Sequence, residues 1–385
     1  MQSKIQNPKS KISTPYYDPN ISYQENYDFG PFGAILEEPS REELDVLAIP
    51  ESEWANVGGL TLRRPLGIPA GPLLNSKFTD AAFRWGYDLL HYKTVRSRFW
   101  PSHPAPNVLR VDASHIPAGD LGRYTLTAHT FRQGEPVDIQ TLSITNSFGM
   151  PAQRPDVWQA DMEKAARGAG RGQALVASLT GTQDPGGNDQ AYIDDHARTA
   201  AMCAETGAHA LEVNLSCPNL GGHGLMCHDR HAARLVCEAV KQAAGRLPLF
   251  AKLGSYAPNE QGEATLRQVI EATAPFLQGY SAVNAVPVPV TSAEGEQALP
   301  GAGRNVAGVC GAALKATGLD VVSRLARMRA EANYDFAIIG VGGLASPADY
   351  LAYLDAGADA VQGATGPMWN HRLAVEIAEY VKGDK

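Results

Sequence analysis

The stretch that most constrains the fold of this chain is ALEVNLSCPNLGGHG, residues 210–224. Its first six residues form a largely apolar run of strand length, and Pro218 and the glycines that follow are typical of a loop. The alanine-rich residues 200–208 before it are typical of the end of a helix. A helix that leads into a short buried strand indicates a parallel α/β fold. Four polar side chains stand at the carboxyl end of this strand, where α/β folds place their chemistry: Asn214, Ser216, Cys217 and Asn219.

Other predicted strands also end in polar side chains. Residues 87–95, YDLLHYKTV, end near Lys93 and Thr94, and residues 248–256, PLFAKLGSY, carry Lys252. A lysine at the carboxyl end of a strand points into the ring of loops, and its burial costs free energy unless it meets a partner. We therefore predict that both lysines contribute to a binding site.

Small residues end three further strands. Residues 61–73 lead into a turn at Ala70 and Gly71, where a flat ring could approach the backbone closely. The strands predicted over residues 336–343 and 358–365 are separated by a helix at 346–356. Two small-residue strand ends side by side form a cradle of backbone N–H groups for a phosphate. Because no GxGxxG motif follows an early strand, a nicotinamide-binding Rossmann unit is not indicated.

Composition excludes several classes of protein. A chain of 385 residues with 44% hydrophobic content can form one large α/β domain with extensions. A net charge of -8 disfavours nucleic acid as a partner. Five cysteines without a CxxC pair predict no disulfide framework, no metal site and no iron–sulfur cluster. The polar amino terminus has no apolar stretch that could enter a membrane, so we expect a cytoplasmic protein.

The sequence NLSCPN followed by glycines resembles the signature of the flavin-dependent dihydroorotate dehydrogenases, and also that of the related catalytic domain of dihydropyrimidine dehydrogenase. In soluble members of the family the cysteine of this motif is the base, and the membrane-associated class has serine there. The resemblance therefore implies that Cys217 is the catalytic base and that the protein is of the soluble type. Cys227 is the second candidate, and a buried structural thiol is the alternative interpretation of Cys217.

The resemblance covers residues 62–382 and implies a (β/α)8 TIM barrel that binds FMN. It implies an N-terminal extension at residues 1–55, the barrel at 56–385, and an insertion near 96–140 at the rim of the site. It further implies a homodimer that acts on a small dihydropyrimidine-like molecule. The residues matching the cofactor site of the family are Ala70, Gly71, Lys93, Thr94, Ser178, Asn214, Lys252, Gly311, Gly342, Gly343, Ala364 and Thr365. Those matching its substrate site are Lys93, Asn146, Phe148, Gly149, Met150, Asn214, Asn219 and Asn284.

Three functions stay open at this stage. Oxidation of a C–C bond in dihydroorotate is the first. A flavin-dependent dehydrogenase or reductase of another small ring or amide metabolite, for example dihydrouracil, is the second, because Ala285 replaces a family Ser or Thr and Ala152 and Gln153 stand where the family has a further Asn. A lysine aldolase that forms a Schiff base at Lys252 is the third.

Overall fold

The computed structural model describes residues 14–116, 125–132, 134–184, 186–217 and 224–383. The strands described are β1 (Ala55–Val57), β2 (Leu60–Leu62), β3 (Leu66–Ile68), β4 (Leu89–Val95), β5 (Arg110–Val111), β6 (Leu126–His129), β7 (Ser143–Asn146), β8 (Ala174–Leu179), β9 (Ala210–Asn214), β10 (Leu249–Leu253), β11 (Gly279–Ala282), β12 (Val286–Thr291), β13 (Val306–Gly311), β14 (Ala337–Val341) and β15 (Ala360–Gln362). The α-helices described are α1 (Tyr23–Phe29), α2 (Arg41–Leu47), α3 (Ser76–Arg84), α4 (Pro155–Gly168), α5 (Asp189–Ala204), α6 (Arg230–Ala244), α7 (Glu260–Thr273), α8 (Lys315–Ala332), α9 (Pro347–Asp355), α10 (Thr365–Trp369) and α11 (Leu373–Gly383).

Eight strands form a closed parallel barrel in the order β3, β4, β8, β9, β10, β11, β14, β15. Helices α3 to α9 connect consecutive barrel strands, and α10 and α11 follow the last one. Strands β8, β9 and β10 are buried along their whole length because helices cover their outer face. The predicted (β/α)8 TIM barrel is confirmed.

The amino ends of the barrel strands are closed by an apolar plug. The antiparallel hairpin of β1 and β2 contributes Val57, Leu60 and Leu62 to one cluster with Phe250 and the first residues of several barrel strands. The interior at this end is therefore a packed core, and space for a ligand lies at the carboxyl ends. Before the hairpin, α1 and α2 each begin at a capping box, Ser22 with Glu25 and Ser40 with Glu43.

A second, smaller sheet lies at the carboxyl ends of the barrel strands. Its order is β12, β13, β7, β5, β6, and the parallel pair of β12 with β6 closes it. Strand β12 occupies residues 286–291, and every second residue of it is buried. Two prolines in VPVPVT made this segment unlike a strand. The strand predicted over residues 61–73 is shorter, since Pro65 and Pro69 flank β3.

Within the described ranges, none of the helices is both long and apolar enough to cross a bilayer.

Candidate active site

A cavity with two adjoining lobes opens at the carboxyl ends of the barrel strands. The two lobes enclose about 920 and 970 Å³ of space, part of it open to solvent. Both are bordered by residues from the turn after β3, from β7, β10 and the segment after β11: Ala70, Gly71, Asn146, Phe148, Lys252, Asn284 and Ala285. The first lobe continues along small and apolar residues, and the second along lysine and amide side chains.

The cavity brings together most of the predicted site residues. Those on the first lobe are Ala70, Gly71, Asn146, Phe148, Lys252, Asn284, Gly311, Gly342, Gly343, Ala364 and Thr365. The second lobe adds Lys93, Thr94, Gly149, Met150 and Asn214. Two predicted residues, Ser178 and Cys217, line neither lobe. Asn219 lies outside the described residues.

Glycines after β14 allow the backbone to line the first lobe. Gly342 and Gly343 have φ angles of +134° and +68°, values that side chains other than glycine rarely adopt. A Cβ at Gly343 would lie 2.7 Å from the Cβ of Lys315. The loop after β15, with Ala364 and Thr365, borders the same lobe. The predicted pair of small-residue strand ends therefore meets in space.

Lys93 presents a buried positive charge to the second lobe. Its side chain is 7% exposed, and within the part of the chain that the structure describes no acidic side chain pairs with it. Burial, followed by the neighbouring Arg96, lowers the pKa of Lys93 to about 7. An ammonium group buried without a counter-ion is unfavourable, so this position favours an anionic ligand.

The amide side chains of the second lobe contact one another. Asn284 Nδ2 donates to Asn214 Oδ1 at 3.2 Å, and Asn214 Nδ2 donates to Met150 Sδ at 3.3 Å. A thioether is a weak acceptor. A ligand carbonyl could therefore replace Met150 as the partner of Asn214 with a net gain in hydrogen bonding.

The loop that carries Asn146 is held by residues that sequence reasoning missed. Arg304 donates to the carbonyl and hydroxyl of Ser147 at 2.7 and 2.8 Å, and Asn107 Nδ2 donates to the same carbonyl at 3.1 Å. Arg96 Nε donates to the carbonyl of Met150 at 3.0 Å. Residues 100–107, inside the predicted insertion, thus run beside the loop. No local pattern in the sequence signals these contacts, because they join distant segments.

We expect Arg304→Ala to loosen this loop and destabilise the protein. The change removes donors from Pro104, Ser147 and Pro300, whose oxygens then depend on water. A decrease of about 1–2 kcal/mol in the free energy of unfolding should appear as a lower urea midpoint. Arg234→Ala, which removes an exposed pair with Glu238, should change it by less than about 0.5 kcal/mol. Equal effects of the two variants would contradict the anchoring role.

The Cys217 thiol is turned away from the cavity. It is 1% exposed, and its Sγ donates to the carbonyl of Asn214 at 2.9 Å, whereas Ser216 lines the second lobe. In the conformation described this sulfur therefore lines neither lobe, because the turn after β9 breaks the alternation of the strand. Burial raises the pKa of Cys217, and the hydroxyls of Tyr192 and Thr180 oppose that rise. Its role as base is untested by this geometry and stays a prediction.

The other cysteine near the site is more deeply placed. Cys227 is fully buried, its Sγ lies 4.0 Å from Ser216 Oγ, and it lines neither lobe. Burial raises the pKa of Cys227 to about 11. Neither thiol is therefore exposed to the cavity in this conformation.

Ser178 and Lys252 both meet a carboxylate that was not predicted. Glu212, in β9, accepts from Ser178 Oγ at 2.6 Å and lies 3.5 Å from Lys252 Nζ. Ser178 is thus engaged beneath the cavity rather than at its surface, and its predicted contact with the cofactor stays a prediction. The available signal was an acidic residue inside the apolar run ALEVNL.

An eight-stranded parallel barrel with lysine and amide side chains at its carboxyl ends defines a barrel enzyme. A family model described as dihydroorotate dehydrogenase matches residues 135–382. A dihydroorotate dehydrogenase of Dictyostelium discoideum is 33% identical over 373 residues, which cover 95% of this chain and 97% of that protein. The chain belongs to the dihydroorotate dehydrogenase family.

More distant relatives fall into two further groups. A dihydroorotate dehydrogenase (quinone) of Corynebacterium glutamicum is 25% identical over 340 residues, covering 85% of this chain and 77% of that protein. The catalytic subunit of a dihydroorotate dehydrogenase B (NAD(+)) of Methanocaldococcus jannaschii is 29% identical over 245 residues, covering 62% and 72%. The chain is therefore similar to members whose names state different electron acceptors.

Proposed function

We propose that this chain is an FMN-dependent dehydrogenase that oxidises the C–C bond of dihydroorotate to give orotate. The observation that carries the proposal is the buried ammonium group of Lys93, which has no acidic partner among the described residues and lies beside the amides of Asn146, Asn214 and Asn284. This set suits a small ring that carries amide groups and one carboxylate. The names of the relatives support the same substrate.

Several features of the first lobe support FMN as its ligand. In the part of the chain that the structure describes, Lys252 Nζ is buried without a hydrogen-bond partner and borders both lobes, so it can interact with an electron-rich group. Gly342, Gly343, Ala364 and Thr365 would receive the phosphate, while Ala70, Gly71 and Gly311 would leave room for the ring. When bound, FMN supplies the electron acceptor for the oxidation.

The second lobe would bind and orient the substrate. The amides of Asn146, Asn214 and Asn284 can each donate and accept, as the edges of a pyrimidine ring demand. Lys93, when protonated, would pair with the carboxylate. We assign Asn219 to the same set from the resemblance alone.

Cys217 is the residue that we propose as base. As a thiolate it would take the proton from a ring carbon, which requires Sγ to exchange the carbonyl of Asn214 for the cavity. Met226 N donates to the carbonyl of Cys217, and Cys227 N donates to that of Leu215, so these backbone bonds do not involve the Cys217 side chain. A rotation about Cys217 need not disturb the barrel strands below.

We also propose that the protein acts in the cytoplasm as a homodimer. All five cysteines are free in the structure, which suits a reducing compartment. The net charge of -8 supports a small-molecule substrate rather than nucleic acid. Neither proposal affects the chemistry assigned to the cavity.

A second substrate remains a candidate because of Ala285. This residue borders both lobes, and the family has a hydroxyl-bearing residue at this position. A site without that hydroxyl would discriminate less between related rings. Dihydrouracil is therefore the competitor that we would test first.

Anaerobic titration of the purified protein tests the proposed function. We expect a yellow protein whose flavin absorbance is bleached by stoichiometric dihydroorotate and not by dihydrouracil. Bleaching by dihydrouracil alone would transfer the assignment to the second candidate. A colourless protein that borohydride traps covalently with a carbonyl substrate at Lys252 would instead support a lysine aldolase.

We expect Gly343→Ala to release FMN. The alanine backbone would have an unfavourable φ of +68°, and its methyl group would lie 2.7 Å from the Cβ of Lys315. The loop that lines the first lobe must therefore shift. The flavin content should fall roughly tenfold, as measured by absorbance of the desalted protein. Gly357→Ala is a matched control, since it has φ +99° and a Cβ contact of 2.5 Å with Ala326 but lies away from the cavity. Equal flavin loss in both variants would contradict the cradle.

A further inference from the structure

Beneath the cavity, the barrel interior contains a group of polar side chains instead of an apolar layer. His91 of β4, Ser178 of β8, Glu212 of β9 and Lys252 of β10 all point into the barrel, and none is more than 5% exposed. Glu212 is central: its Oε1 accepts from Ser178 Oγ at 2.6 Å and lies 3.1 Å from His91 Nδ1, and its Oε2 lies 3.5 Å from Lys252 Nζ. The carboxylate therefore connects four strands.

This group is incompletely hydrogen-bonded. Within the described ranges, Lys252 Nζ, Glu212 Oε2 and both ring nitrogens of His91 are buried without a partner of hydrogen-bond geometry. Buried polar groups are normally satisfied, so such a cluster indicates a functional constraint. Lys252 is the member that reaches both lobes of the cavity, and Glu212 is the acidic side chain within ion-pair distance of it.

The charges of the pair depend on each other. Burial lowers the pKa of Lys252, and Glu212 acts against that decrease. Burial alone would raise the pKa of Glu212, but His91 and Lys252 outweigh it and hold this pKa well below its ordinary value. A buried ammonium group that loses its carboxylate partner is expected to release its proton rather than remain charged.

We propose that Glu212 is a positioning residue that maintains Lys252 as an ammonium group at the floor of the cavity. His91 and Ser178 hold the Glu212 carboxylate in place. This inference rests on the proposed function, because it concerns the charge that the protein presents to FMN. Glu212 borders the second lobe but acts through Lys252. It is distinct from the substrate groups, since its carboxylate is already shared by three neighbours.

Sulfite binding tests the proposal without catalytic turnover. Sulfite adds to an oxidised flavin to give an anionic adduct, so its dissociation constant reports positive charge beside the ring. In Glu212→Gln, which removes the negative charge with little change of shape, we expect sulfite to bind roughly tenfold more weakly than in the wild type at pH 8.5. The ratio should become smaller as the pH is lowered, because an ammonium group whose pKa is lowered regains its proton at lower pH.

Other charged groups lie near Lys252, and comparison of the variant with the wild type at the same pH accounts for them. Glu212 lies 3.5 Å from Lys252 Nζ and 3.1 Å from His91 Nδ1, and Lys93 shares the second lobe with Lys252. The pKa of Lys93 is lowered to about 7, so Lys93 also changes its charge over this pH range. The ratio between variant and wild type at each pH therefore removes its contribution, and repeating the series in a Lys93→Met background checks this.

A double-mutant cycle distinguishes an indirect from a direct effect of Glu212. Lys252→Met should weaken sulfite binding at pH 8.5 and at lower pH, and adding Glu212→Gln should weaken it no further. Asp88→Asn removes a buried carboxylate paired with Arg63 at the other end of β4, and it should leave sulfite binding unchanged.

Several results would overturn the proposal. Unchanged sulfite binding in Glu212→Gln, or tighter binding at every pH, would show that the carboxylate does not maintain the charge of Lys252. If Glu212→Gln does not fold, the double variant decides: recovery of folding supports the pairing, and continued failure contradicts it. A wild-type protein that binds no flavin would instead refute the proposed function itself.

Discussion

Replacement of Cys217 by alanine should reduce flavin reduction by dihydroorotate roughly 10²–10⁴-fold, the range that a positioned general base contributes. FMN content should remain unchanged, because Cys217 does not line the lobe assigned to the cofactor. Anaerobic stopped-flow measurement of the flavin absorbance would separate the two. The rate in the wild type should also increase with pH, since burial raises the pKa of this thiol and only the thiolate accepts a proton.

Two neighbouring residues provide matched controls for that experiment. Cys227→Ala removes the other thiol of the segment, which is fully buried, and Ser216→Ala removes the hydroxyl that the structure places on the second lobe. If Cys217 is the base, both variants should retain flavin reduction within about tenfold of the wild type. A large loss in Ser216→Ala together with a small loss in Cys217→Ala would assign the base to the serine and leave the thiol a structural role.

Much of the barrel could be predicted because its strands are covered on both faces. Such strands are short apolar runs between helices, and ALEVN and LFAKL show this pattern without a detailed alignment. The carboxyl ends of parallel strands converge, so polar residues at those ends were expected to meet, as Lys93, Asn214 and Lys252 do. Position along the strand was thus enough to assign them to one cavity.

The small second sheet could not be predicted in the same way. The strands of this sheet are short, and β12 contains two prolines. Strands β7 and β13, which pair with each other, are separated by about 160 residues of sequence. Contacts such as those of Arg304 with Ser147 depend on this pairing. Loop anchoring is therefore a tertiary property that periodicity does not reveal.

The direction of a side chain beyond the end of a strand also could not be predicted from the sequence. Alternation places Glu212 and Asn214 toward the barrel interior, but the turn that follows does not continue this rule. The structure consequently directs Ser216 to the cavity and Cys217 away from it. For Glu212 the direction of the side chain could be predicted from the alternation of the strand. Its partners could not, because Ser178 and Lys252 lie on other strands.

Lys93→Met should weaken the binding of orotate roughly 10–100-fold at pH 6. A charge-assisted hydrogen bond to a carboxylate is worth about 1.5–3 kcal/mol, and within the described residues Lys93 lacks an acidic partner that would compete. The Kd can be measured by perturbation of the flavin spectrum, without turnover. Uracil has no carboxylate, so its Kd should change far less, and this ligand is an internal control for the integrity of the second lobe.

The pH dependence of the same Kd has a definite sign. Because the pKa of Lys93 is lowered to about 7, the side chain is charged below that pH and loses its proton above it. The Kd of orotate should therefore increase above pH 7 in the wild type, by up to about tenfold per pH unit, and should be nearly constant in Lys93→Met. Lys241→Met, at the opposite end of the barrel, should retain the wild-type profile. A wild-type Kd that does not change between pH 6 and 9 would show that Lys93 does not bind the carboxylate.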